Sequence, residues 1–348
     1  MNEEIPNSNR EAMDEFEELQ QTEPHEPSCF LPGTKVQYVW DSTSLGWLKT
    51  CPRLYKYNMI DNWRPKDLKP DLFFGLVFAE VCQGYQKSIF QGITHDDALF
   101  DMVKHVHART WDWESEHKYK NKYTLVEAVI TYLDQWQDDP AKTVQLANGE
   151  PAVELNFKFQ LDWGPRKAEV QDPIENNDDG HLGTHSEQPY ILCGHLDRIV
   201  EFGGVLMVMD QKTTKSTLAS NYFDQYHPDN QMTLYTLAAN IIYDQPIRGV
   251  IIDAVQVLLT APHRCIRGFT YRTQAELDEW VRDLEHWFSM AEFYAESNYW
   301  PKNDTACNKF GGCQYKEVCN KDPSVRKAFL ASSFTQEGDR WNPLVPRT

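Results

Sequence analysis

Nowhere in these 348 residues is there an uninterrupted apolar run long enough to span a bilayer, and the opening MNEEIPNSNREAMDEFEELQ lacks the basic and apolar regions of a secretion signal. A cytoplasmic protein with no membrane partner is therefore expected. Positive charge is scarce as well: 34 Lys and Arg stand against 52 Asp and Glu, a formal net charge of −18. Affinity for duplex DNA comes largely from cations that neutralise phosphates, so this deficit argues against a protein that simply coats DNA. It leaves room for an enzyme whose acids hold a metal. The imbalance is local: residues before Lys35 are acidic with Arg10 as their one basic residue, whereas Lys49, Arg53, Lys56, Arg64, Lys66 and Lys69 crowd one early region. Cysteine is not scarce, with eight residues, and in a reducing compartment clustered cysteines are read first as metal ligands.

Residues 190–235 carry the strongest pattern: YILCGHLDRIVEFGGVLMVMDQKTTKSTLASNYFDQYHPDNQMTLY. Residues 190–200 and 205–212 are rich in Ile, Leu, Val and Met, and Phe202-Gly203-Gly204 between them suits a tight turn, so a β-hairpin is expected. Side chains alternate along a strand, which puts Asp210 and Lys212 on one face and brings Asp197 onto it, diagonal to Asp210. Charges on strands this apolar are costly to bury unless they bind something, and a divalent metal suits the two carboxylates. Gln231 and Tyr235 follow four residues apart, on one face of the next helix.

The chain around this stretch reads as mixed α/β. Residues 1–34 form a disordered acidic tail, with a solubilising role. Helices are expected at 71–90, in two pieces between 94 and 137, at 228–243 and at 274–297; strands at 154–162, 249–259 and 264–271. Residues 95–150 form a helical insertion beside the core, 164–188 a flexible loop without periodicity, 300–322 a cysteine cluster and 326–348 a C-terminal tail. His105 and His107 fall on different helix faces, and His181 and His185 have no cysteine nearby, so none of these is read as a metal ligand.

Gly194-His195-Leu196-Asp197, Asp210-Gln211-Lys212 and Gln231-X-X-X-Tyr235, in this order, resemble the GxxD, DxK and QxxxY motifs of the PD-(D/E)xK nuclease superfamily, in particular its RecB-like exonuclease branch of CRISPR-associated and phage enzymes. The resemblance implies an αβββαβ core, a mixed sheet flanked by helices, across residues 35–325. It implies DNA as substrate, with recombination or replication proteins as partners. Asp197, Asp210 and the Gln211 carbonyl would hold Mg²⁺ or Mn²⁺, Lys212 would activate water, and Gln231 and Tyr235 would contact DNA or support the site. The family commonly has a histidine four residues after a glycine like Gly75; here that place is Ala79, and Glu80 beside it is the available substitute.

Cys307, Cys313 and Cys319 are each separated from the next by five residues, with Gly311 and Gly312 letting the chain wrap. Three clustered thiols read as metal ligands, and four would suit zinc or a [4Fe–4S] cluster equally. The resemblance supplies Cys51 as the fourth ligand, because RecB-like nucleases with one cysteine before the core and three after it hold an iron–sulfur cluster. A second functional class stays open: a catalytically inactive iron–sulfur or zinc subunit that binds DNA.

Overall fold

The computed structural model describes residues 28–66, 69–166, 188–243, 246–309, 312–338 and 340–345. The acidic tail through residue 27, and the loop at 167–187 with His181 and His185, lie outside the described residues. The chain enters with β1 (Val39–Trp40) and α1 (Ser42–Thr50), whose start is set by Asp41 and Ser44 in a reciprocal capping box. Pro52 opens the short helix Pro52–Tyr55, a position where its missing N–H costs nothing. Three helices follow: α2 (Pro70–Phe90), α3 (His95–Arg109) and α4 (Lys122–Gln135), the last two capped by Thr94 and Asn121. α3 stops at Arg109, before Trp111 and Trp113.

The sheet is built from β2 (Lys142–Thr143), β3 (Val153–Gln160), β4 (Ile191–Phe202), β5 (Val205–Thr214), β6 (Gly249–Gln256) and β7 (Arg264–Tyr271), with α5 (Asn230–Ile242) crossing from β5 to β6. β4 and β5 are antiparallel, β5 and β6 parallel, β6 and β7 antiparallel; β2 and β3 pair antiparallel with β4, and β1 parallel with it. The hairpin turn is Gly203-Gly204, both at positive φ, which two-residue turns of this kind require. Every residue of β6 is buried, because helices cover both faces of the sheet. α1, α5 and the long α6 (Gln274–Glu296) pack one face around Trp40, Leu234 and Phe288, while α2, α3 and α4 pack the other around Phe74, Tyr132 and Val255. This is the expected mixed α/β architecture.

The segment expected as a C-terminal tail is built into the fold. After α7 (Arg326–Ser333), Phe334–Thr335 pairs antiparallel with Arg64–Pro65. Trp341 then packs edge-on against Trp47 and donates to Asp41 Oδ2 at 3.1 Å.

Between the α2–α4 lobe and the sheet lies a buried ionic network. Arg198 of β4 donates to Asp139 at 2.9 Å; Asp139 is also gripped by both terminal nitrogens of Arg267, at 2.6 and 2.8 Å, and Arg267 reaches Asp253 of β6 at 2.8 Å. Tyr132 of α4 donates to the same Asp253 oxygen at 3.0 Å. Removing one member strands the others without compensation. Asp139→Ala should cost about 3–5 kcal/mol of unfolding free energy by urea titration; a loss below about 1 kcal/mol would mean water takes over the role of the carboxylate.

Candidate active site

Asp197, Asp210 and Lys212 sit where β4 and β5 diverge. Their ladder runs from Phe202↔Val205 back to Arg198↔Met209. The ladder stops one step short of Asp197 and Asp210. At the fork, the Gln211 backbone N–H donates to Asp197 Oδ2 at 3.1 Å. β3 yields at the same level: Val153↔Arg198 and Leu155↔Leu196 flank Glu154, a non-glycine residue at φ +56. Gly194 has a separate reason to be glycine, since a Cβ there would lie 2.7 Å from the Phe157 ring. That ring stands edge-on to Tyr235, with centroids 6.5 Å apart.

Asp210 is almost wholly buried, and Lys212 Nζ lies 2.7 Å from its Oδ2 and 3.0 Å from its Oδ1. Burial pushes the Asp210 carboxyl above its usual range against the pull of Lys212. Burial also draws the Lys212 ammonium down, but the Asp210 and Asp197 carboxylates outweigh it and hold the lysine protonated. Lys212 Nζ donates in turn to Gln231 Oε1 at 3.1 Å, and Gln231 Nε2 donates to the Tyr235 hydroxyl at 2.9 Å. Asp229 caps α5 and so presents Gln231 and Tyr235, four residues apart, toward the fork. One polar chain therefore links the DxK strand to the QxxxY helix.

The structure does not bring Glu80 to this group. Arg109 takes both of its oxygens at 2.8 and 2.9 Å, and His105 stands at 3.1 Å, so the carboxylate turned toward α3 cannot replace the missing histidine without breaking that pairing. Among the described residues, no three His, Cys, Asp or Glu side chains stand close enough to hold a metal between them. The chemistry of the fork still fits a hard divalent ion: two carboxylates on adjacent strands, one buried and offset by a single lysine, beside backbone that has left the ladder.

A family model described as the PD-(D/E)XK nuclease superfamily matches residues 42–320. The chain belongs to this superfamily. A solved structure named "Putative exonuclease", from Eubacterium rectale, is similar at 9% identity, covering 92% of this chain and 95% of its own, with a TM-score of 0.42. No curated protein matches. Among the described residues no helix is long and apolar enough to cross a membrane.

The four cysteines assigned to a cluster share one neighbourhood. The Asn303 N–H donates to Cys51 Sγ at 3.2 Å, and the Cys313 N–H donates to the Cys307 carbonyl at 3.0 Å. Burial pushes the Cys313 thiol up, with Cys51 and Cys307 adding to the shift; burial raises Cys319 too, where Cys313 and Cys51 add and Arg53 opposes. Thiols are the donors a soft metal takes, but as placed no three of these four stand close enough to hold one between them. Protein contacts already join these chain segments: Arg53 Nε to the Trp300 carbonyl at 3.0 Å and Tyr315 OH to Asn58 Oδ1 at 2.9 Å.

One residue of this region carried no signal in the sequence. Lys120, between α3 and α4, is 1% exposed; its Nζ donates to Thr213 Oγ1 at 2.9 Å and lies 4.1 Å from the Phe74 ring centroid. Burial draws its pKa down to about 8, with Asp71 opposing and Lys215 adding. A lysine depressed on folding contributes stability that is full above its unfolded value of about 10.4 and is lost as the pH falls through about 8. Urea titrations of the parent and Lys120→Met should therefore diverge in the parent's favour between pH 8 and 10.5 and run parallel below pH 7. A constant difference across the whole range would contradict this burial of charge.

Proposed function

We propose that the protein is a metal-dependent DNA exonuclease that hydrolyses phosphodiester bonds in recombination, repair or DNA processing, as a phage or accessory enzyme of the RecB-like branch. The observation that carries this reading is the assembly of Asp197, Asp210, Lys212, Gln231 and Tyr235 at one fork between two strands. Asp197, Asp210 and the Gln211 carbonyl would hold Mg²⁺ or Mn²⁺, which supplies positive charge to the scissile phosphate and makes water more acidic. Lys212, held protonated by its carboxylate neighbours, donates hydrogen bonds to the phosphate oxygens as negative charge builds on them. Gln231 Oε1 accepts a further hydrogen bond from the Lys212 ammonium and helps hold it in place. Tyr235 fixes Gln231 in turn, so the donor has little freedom to reorganise during reaction. Cys51, Cys307, Cys313 and Cys319 would hold a [4Fe–4S] cluster, or zinc in its place, as a structural staple between chain segments.

The alternative is a DNA-binding subunit that keeps the fold and the cysteine-bound metal but not catalysis. Ala79 in the place of the family's histidine, with Glu80 committed to Arg109, favours it.

Protein purified without oxygen, incubated with end-labelled single- and double-stranded DNA and Mn²⁺ or Mg²⁺, should release label, and the end released first reports polarity. Asp210→Ala and Lys212→Ala should each lower the rate by at least about a hundredfold. If the parent binds DNA without cutting it, the subunit reading takes over. Iron and sulfide analysis of the same preparation should find a cluster that Cys313→Ser loses; zinc in equal amount to protein would identify the other metal.

A further inference from the structure

We propose that Tyr222 and Tyr226 form a hydroxyl pair that donates a hydrogen bond to a phosphate oxygen of the DNA strand held at the fork; this rests on the nuclease reading above. The two phenols lie on the short 3₁₀ turn Ser220–Tyr226, in the connection from β5 to α5. They therefore stand between the Asp-X-Lys strand and the helix that bears Gln231 and Tyr235. Their hydroxyls are 3.4 Å apart, and both side chains are half-buried.

The register of the sheet puts this turn on the face that carries the site. Asp210 pairs with Ile252, and Ile252 with Gly268, so the three share one face, with two strand spacings of about 4.8 Å between the first and the last. Gly268 is where the turn is seated, since a Cβ there would lie 2.0 Å from the Phe223 ring. Thr270, two residues on and on the same face, donates through Oγ1 to the Tyr226 carbonyl at 3.0 Å, and Arg272 donates to that carbonyl at 2.9 Å. The start of the connection is tied as well, by the Leu218 N–H to Gln256 Oε1 at 3.3 Å. The Tyr222 ring stands edge-on to Phe223 and to Tyr226, with centroids 5.1 and 6.1 Å away. Both phenols are thus held on a fixed turn across the row that begins with Asp210.

Packing alone does not call for their hydroxyls, because Phe223 fills the notch over Gly268 without one. Burial holds the Tyr226 phenol protonated above its ordinary range, with the Tyr222 bond and the charges of Asp210 and Asp229 adding. A phenol so held gives its O–H to Tyr222, and the Tyr222 O–H is left to donate outward. Lys212 gives hydrogens to Asp210 and Gln231, which leaves at most one for a phosphate that presents several oxygens. A second, neutral donor beside it meets that need, and the anionic oxygens are the acceptors in DNA that bind a hydroxyl most strongly. Asp210 and Asp229 repel an anion until a divalent ion offsets them, so the contact belongs to the metal-loaded site.

Anisotropy of fluorescein-labelled single-stranded and duplex DNA with Ca²⁺, a hard ion that takes the same oxygen ligands, reads binding; initial rates on end-labelled DNA with Mg²⁺ read cutting. Tyr222→Phe keeps the ring and removes the O–H. It should raise Kd and lower kcat/KM about tenfold at an unchanged urea midpoint. An oligomer with uncharged methylphosphonate linkages should bind the parent and Tyr222→Phe equally. Parental Kd and kcat/KM in Tyr222→Phe would overturn the contact, and a loss confined to Tyr222→Ala would show instead a ring stacked on a base. A loss that comes with a lower urea midpoint makes the bond purely structural, and one that persists on methylphosphonate rules out phosphate as the acceptor. A parent that binds DNA without cutting removes the nuclease reading and leaves the contact to be judged by Kd. A parent that neither binds nor cuts removes both.

Discussion

A carboxylate buried in an apolar sheet has to be compensated, and Asp210 sets that requirement for the strands around it. β4 and β5 stay paired only as far as Arg198↔Met209, just short of Asp197 and Asp210. Lys212 then supplies the nearest positive charge, and the Gln211 amide donates to Asp197 in place of a ladder bond. These compensations are incomplete, since burial still holds the Asp210 carboxyl above its usual range.

The two faces of the sheet carry different duties. On the front, α5 brings Gln231 and Tyr235 against the lysine. On the back, Arg198 follows Asp197 directly in sequence and points to the opposite face, where Asp139, Arg267 and Asp253 hold it. Asp253 also lies opposite Gln211 in the β5–β6 register. The network therefore grips both strands of the fork from behind, at the level where their mutual hydrogen bonds give out. Long chain ends are drawn to the same body by aromatic stacking: Trp40 lies on Tyr55 and Phe288, and Tyr55 on Trp300, with centroids 4.7 to 5.6 Å apart. The cysteine neighbourhood sits at the end of this aromatic column, beside Trp300 and Arg53.

The hairpin, the DxK strand and the QxxxY helix were legible in the sequence, because alternation with period two and the pair Gln231 and Tyr235 at helical spacing are local properties. Gly203-Gly204 marked the turn for the same reason. Glu80 shows the limit: its place beside Ala79 made it a substitute ligand, but which neighbour claims a half-buried carboxylate depends on a second helix, and Arg109 on α3 claimed this one. The C-terminal residues looked like a tail because one short helix and scattered aromatics have no periodic signature; their partners, Trp47, Asp41 and Arg64–Pro65, are nearly the whole chain away.

By itself the sequence determined the mixed α/β class, the hairpin and the shared helix face of Gln231 and Tyr235, since each follows from short-range pattern and residue type. Only the tertiary structure decided that β4 and β5 stop pairing just short of Asp197 and Asp210, that Lys120 ties a loop to Thr213, and that four distant charges lock together behind the site. Those outcomes depend on register, burial and the meeting of helices far apart in the chain, and burial is what turns an ordinary lysine or aspartate into a group with a shifted charge balance.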